Sequence, residues 1–190
     1  LIDELLDPKI PWVDILSRWL GENGKKMDQT MSRPSRRSES IGEYMPSWRK
    51  YGVDDVVVIW DTSGSMNGRE TEILTEVQGI CDDLGLALRI IICDAMVHSD
   101  VRDVEDALDI IPHIKGGGGS DFRPAFKLLE EENYEGVCVA FTDGMISVPP
   151  VKPYLLKDVL WVVQEHESPP TEAWGECLKT NDVELVSGGY

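Results

Sequence analysis

Runs of five apolar residues without a polar break stand at positions 56–60, 137–141 and 159–163. A strand with one wet face alternates apolar and polar side chains, so an unbroken run requires cover on both faces. Five residues is strand length, far below the ~20 needed to cross a bilayer, so no membrane partner is expected. Helix-like stretches are predicted at 69–84, 104–111 and 123–132. Further strands are predicted at 87–93 and 183–186, and a short strand at about 95–101 should pair with 87–93 through a tight connection near Asp94. Strands alternating with helices in this way specify an α/β fold, a three-layer sandwich with a mostly parallel central sheet of Rossmann type. The run at 56–60 should lie at its centre. Pro149, Pro150, Pro153, Pro169 and Pro170 mark long connections.

The first 52 residues have a different texture. Trp12, Ile15, Leu16, Trp19 and Leu20 recur at helical spacing, and residues 1–6 show a similar pattern, with Pro8 and Pro11 as punctuation. Such a helix cannot stand bare in water, so it should dock on the α/β domain or on a part upstream of it. Residues 25–43, with Arg33, Pro34, Arg36 and Arg37, read as an extended arm. Charge divides at the same place: residues 1–52 hold nine basic and eight acidic side chains, residues 53–190 nine and twenty-seven. The expected organisation is therefore an N-terminal helical segment and arm over 1–52, then one α/β domain over 53–190.

With a net charge of −17 the surface repels phosphates, and no nucleic-acid partner is expected. Cys81, Cys93, Cys138 and Cys177 form no C-x-x-C pair and read as buried free thiols of a reducing cytoplasm.

In an open parallel sheet, ligands gather beyond the carboxyl ends of the strands. Three predicted loops fall there: Asp61-Thr62-Ser63-Gly64-Ser65, the glycine run 116–119 with Ser120 and Asp121, and Thr142-Asp143-Gly144. Each could serve only as a turn or helix cap. Together they offer carboxylates and hydroxyls, the hard oxygen donors that suit Mg²⁺, Mn²⁺ or Ca²⁺ rather than zinc. Asp94 reaches the same rim, where it fits a turn or the site.

D-x-S-G-S, a glycine-rich loop ending in a hydroxyl residue, and T-D-G, in that order, resemble the metal-ion-dependent adhesion site of von Willebrand factor A (VWA) domains. Pro11-Trp12 with Leu16, Arg33-Pro34 with Arg36-Arg37, Cys93-Asp94-Ala95 and the stretch from Gly116 to Pro124 are similar to a bacterial and phage family of VWA-like proteins labelled metallopeptidases. The resemblance covers most of residues 8–165. It implies that Ser63, Ser65 and Ser120 give hydroxyl oxygens to a divalent ion, that Asp61 and Asp143 anchor it, and that Asp121 supports the ligands. Ser120 stands where the adhesion site usually carries Thr. An acidic side chain of a protein partner would fill the open position on the ion. A MoxR-type AAA+ ATPase is the partner the resemblance implies, in the cytoplasm of a bacterium or of an infected host cell.

Catalysis is not expected. There is no G-x-S-x-G elbow and no H-E-x-x-H, and His98, His113 and His166 stand alone. In the similar family a peptidase-like segment precedes the VWA-like domain, so the alternative is a regulatory or substrate-binding part of a metallopeptidase-like protein with its catalytic segment upstream.

Overall fold

The computed structural model describes residues 12–24, 27–34, 46–50, 55–62, 70–113, 119, 121–163, 168–170, 174–180 and 186–187. Helix α1 spans Trp12–Asn23, and strands β1 (Met27–Pro34) and β2 (Pro46–Lys50) follow. The α/β part then runs β3 (Asp55–Asp61), α2 (Glu70–Leu84), β4 (Ala87–Cys93), β5 (Val97–Val101), a 3₁₀ helix (Ala107–His113) and α3 (Arg123–Glu131). It closes with β6 (Val137–Thr142), β7 (Asp158–Val163), β8 (Glu176–Lys179) and β9 (Val186–Ser187).

Seven strands form one sheet in the order β5-β4-β3-β6-β7-β8-β9. β4, β3, β6, β7 and β8 are mutually parallel, and antiparallel β5 and β9 close the two edges. β3 is central as expected, with Val58 opposite both Ile90 and Val139. Its unbroken apolar run has the predicted cause: Val56, Val58 and Trp60 enter the core under α1 and α2, while Val57 and Ile59 enter the core under α3. The same split divides Val137, Val139 and Phe141 from Cys138 and Ala140 on β6. Two cores, one on each face of the sheet, make the three-layer sandwich.

Helix α1 belongs to the first core. Trp12, Ile15, Leu16, Trp19 and Leu20 are all buried there, and the Trp12 ring meets Phe141 edge-on at 6.5 Å. Part of the expected arm is a strand, because β1 pairs antiparallel with β2 in a separate two-stranded sheet. Residues 1–6 and 35–45 lie outside the described residues, so the helix expected over the first and the rest of the arm are not addressed.

Two elements differ from the expectation. The stretch predicted as a helix over 104–111 is a 3₁₀ turn ending in Pro112 and His113. It is too short to repay α-helix nucleation, and it is held from outside, the Ala107 N–H donating to Gln78 Oε1 at 2.7 Å. Strand β8, Glu-Cys-Leu-Lys, was not predicted at all: four residues with charged ends carry no strand signal until they pair with β7. Of the strand expected over 183–186, Val186 lies in β9 and 183–185 fall outside the described residues. Among the described residues no helix is long and apolar enough to cross a membrane.

Candidate functional site

The carboxyl ends of the parallel strands form one rim. Asp61, the last residue of β3, is fully buried, and Thr142, the last residue of β6, donates its hydroxyl to Asp61 Oδ2 at 3.1 Å. The same Thr142 oxygen accepts the Gly144 N–H at 3.1 Å, and Asp143 Oδ1 accepts the Met145 N–H at 2.9 Å. Gly144 has φ +86, and a Cβ there would collide with the Ser168 carbonyl, so only glycine lets the chain turn away. T-D-G therefore works as three parts: Thr142 orients Asp61, Asp143 caps the turn, and Gly144 makes the turn sterically possible.

Beside Asp61 lies an orphan. The Thr62 side-chain oxygen is buried without a hydrogen-bond partner, in a residue only 5% exposed. Buried hydroxyls normally find partners, and a carboxylate taken out of water is costly unless paired or bound to a metal. Asp61 is already bonded by Thr142, so the unmet group is the Thr62 hydroxyl, and an oxygen-seeking cation fits a rim of such donors. Among the described residues no three His, Cys, Asp or Glu side chains converge as a metal cluster, so an ion here would require hydroxyl oxygens as well as the carboxylates.

Asp94 and Asp121 complete the rim. Asp94 closes the tight turn between β4 and β5: its Oδ1 accepts the Met96 N–H at 3.1 Å and lies 2.7 Å from His98 Nε2. Burial works against ionisation of Asp94, but hydrogen bonds from His98, Met96 and Ala95 outweigh it and hold the carboxyl below its ordinary range. Of the two roles open to Asp94, the turn role is the one its bonds describe. The Asp94 carbonyl accepts the Asp121 N–H at 2.9 Å, and the Cys93 thiol donates to the Asp121 carbonyl at 3.3 Å. Cys93 is itself the register partner of Asp61, so this lacing ties the exit of the glycine loop to the strand that carries Asp61. Asp121 also receives Arg123, whose Nη2 lies 2.6 Å from Oδ2 and whose hydrogen bonds are the main reason the carboxyl is held low.

Of the five residues expected to hold an ion, Asp61 and Asp143 stand on this rim, at the ends of adjacent strands. Ser63, Ser65 and Ser120 lie outside the described residues. Thr142 and Thr62 are the additions. Both sit inside motifs visible in the sequence, but nothing local shows that one hydroxyl is bonded to Asp61 and the other to nothing. Cys81, Cys93, Cys138 and Cys177 are buried and form no disulfide, and burial pushes the Cys81 and Cys93 thiols up to about 12, away from the reactive thiolate.

A three-layer α/β sandwich with a mostly parallel central sheet is consistent with a VWA-like architecture. The family model described as VWA-like domain (DUF2201) matches residues 56–181, and the chain belongs to that family. It is also similar to an uncharacterised protein of Thermotoga maritima, 29% identical over 147 residues. That alignment covers 76% of this chain and 36% of the relative, so the chain spans about a third of the relative's length. Membership among VWA-like domains suggests a protein-interaction module.

Proposed function

We propose that this domain is a non-catalytic, divalent-metal-dependent interaction module that binds an acidic residue of a protein partner at the rim. The observation that carries the reading is the buried, unpartnered Thr62 hydroxyl, which follows the buried and Thr142-bonded Asp61 in the chain. Asp61, Asp143, Ser63, Ser65 and Ser120 would hold Mg²⁺, or Mn²⁺ or Ca²⁺ in its place, with Asp121 in support. Two carboxylates only balance a divalent cation, which leaves it electrophilic toward one more carboxylate. What the chain supplies is position: Thr142 orients Asp61, and Asp143 is fixed by its turn. The similarity to VWA-like proteins that work with MoxR-type AAA+ ATPases supports an ATPase as the partner. By linkage, metal and partner should tighten each other equally.

Calorimetric titration of Mg²⁺ and Mn²⁺ into the protein tests the reading. One site is expected, weakened at least about tenfold in Asp143→Ala and in Asp61→Asn with the far-UV spectrum retained, since these groups lie at loop and strand ends. Absence of saturable binding in the wild type would refute it. The greater length of the Thermotoga maritima relative favours a second reading, a regulatory or substrate-binding part of a longer, metallopeptidase-like protein. Under that reading the same rim would bind substrate for a catalytic segment elsewhere, and peptide hydrolysis by the full-length protein, lost when the rim is altered, would favour it.

A further inference from the structure

Two methionines occupy matching places on the rim. Met96 is 61% exposed and Met145 is 82% exposed. Each follows a strand-end aspartate by two residues, in Asp94-Ala95-Met96 and Asp143-Gly144-Met145. Each donates its backbone N–H to that aspartate's Oδ1, at 3.1 and 2.9 Å. β4 and β6 are the two neighbours of β3, so the paired turns flank Asp61 at a separation of about 10 Å, twice the strand spacing. Residues 121 and 122 bridge that interval: the Asp121 N–H donates to the Asp94 carbonyl and the Phe122 N–H to the Ser147 carbonyl, both at 2.9 Å. The methionines are therefore presented by hydrogen-bonded backbone on either side of one point.

Charge selects what can lie between them. Residues 53–190 carry twenty-seven acidic side chains against nine basic ones, and Asp61, Asp94, Asp121 and Asp143 are all on this rim, so long-range forces oppose an acidic partner. Contact beyond a single carboxylate then comes from basic side chains or from uncharged surface, and the two exposed methionines address the second. Exposed thioethers supply that, because methionine is flexible and polarizable and adapts to varied apolar shapes. We propose that Met96 and Met145 are partner-contacting residues flanking the Asp61–Asp143 site, and that they receive a protein loop bearing one acidic residue between apolar side chains. The inference rests on the metal-dependent reading for the role of the acidic residue, and on exposure and geometry for the methionines.

The test uses a displayed library of disulfide-closed peptides with a fixed central Asp and randomised neighbours, panned against the whole chain in Mg²⁺. Selected peptides are then titrated into protein carrying ¹³C-methyl methionine. The expected result is enrichment of Leu, Phe or Met beside the Asp, shifts of the Met96 and Met145 methyl signals, and at least about tenfold weaker peptide binding by Met96→Gln/Met145→Gln, from the loss of two apolar contacts. Mg²⁺ binding by the free double variant should equal wild type. Peptides with no apolar preference, no enrichment while Mg²⁺ still binds, or a double variant that binds as wild type would each overturn the proposal. Apolar selection and methyl shifts that persist in EDTA would sink the metal-dependent reading while supporting the methionine contacts.

Discussion

Thr142 shows how much one hydroxyl can carry. It bonds Asp61 on the neighbouring strand and accepts the Gly144 N–H, and it is fully buried. Thr142→Val keeps the shape and removes both bonds, leaving the Asp61 carboxylate less well satisfied. The expected loss is about 1–3 kcal/mol in urea unfolding, with Thr142→Ser near wild type. Asp94 gives a pH-dependent counterpart. Its carboxyl is held below its ordinary range, so the stability it contributes is complete above the unfolded value of about 3.9 and is lost as pH falls through the lower folded value. Asp94→Asn should therefore be less stable than wild type near pH 7, with the gap closing below about pH 4; a gap that widens in acid would contradict the assignment. Arg89 is the opposite kind of buried charge: only 4% exposed, it is satisfied by Asp100 at both Nε and Nη2 and by Glu132 at Nη1, all at 2.7 Å. Those ties join β4, β5 and the end of α3 away from the rim.

At the scale of elements, α1 is the informative one. Its five apolar positions share the core with the strands, and Lys157, just before β7, donates its ammonium to the Asn23 carbonyl at the helix end. Each fully buried Leu or Ile there contributes ~2 kcal/mol by removing apolar area from water. Leu16→Ala should cost about 2–5 kcal/mol, the usual penalty for a cavity in a packed core, read as a lower urea midpoint. A change below about 0.5 kcal/mol would mean that α1 is not held on the sheet in solution. On the other face, the β6-to-β7 connection contains no helix. It is anchored instead by buried Val148 and Leu156 and by Trp174 Nε1 donating to the Pro149 carbonyl at 3.1 Å.

For the whole molecule, charge is the controlling quantity. Residues 53–190 carry twenty-seven acidic side chains against nine basic ones, an excess of like charge that opposes the compact state. Raising NaCl from about 10 mM to about 150 mM shortens the screening length to ~8 Å and should raise the melting temperature by a few degrees. At matched ionic strength, Mg²⁺ should raise it further through specific binding, an increment that vanishes in Asp61→Asn. Equal effects of Mg²⁺ and Na⁺ would leave only screening.

The sequence by itself determined the layers of this protein. Unbroken apolar runs at 56–60, 137–141 and 159–163, of strand length and rich in Val, pointed to strands covered on both faces, and helical spacing from Trp12 to Leu20 required a buried partner. Those are local periodicities, and period is what a pattern of burial imposes on neighbouring residues. The order of the candidate motifs, each after a strand, also placed Asp61 and Asp143 at one end of the sheet. Tertiary structure alone decided the contacts across that rim. Asp61 and Thr142 are 81 positions apart and meet because β3 and β6 are neighbours. Strand β8 exists through pairing with β7, and the 3₁₀ turn depends on Gln78, 29 positions away. Likewise Met96 and Met145 become a pair only when β4 and β6 come to lie on either side of β3. No local pattern encodes such meetings, because strand order follows from packing the whole chain into one sheet.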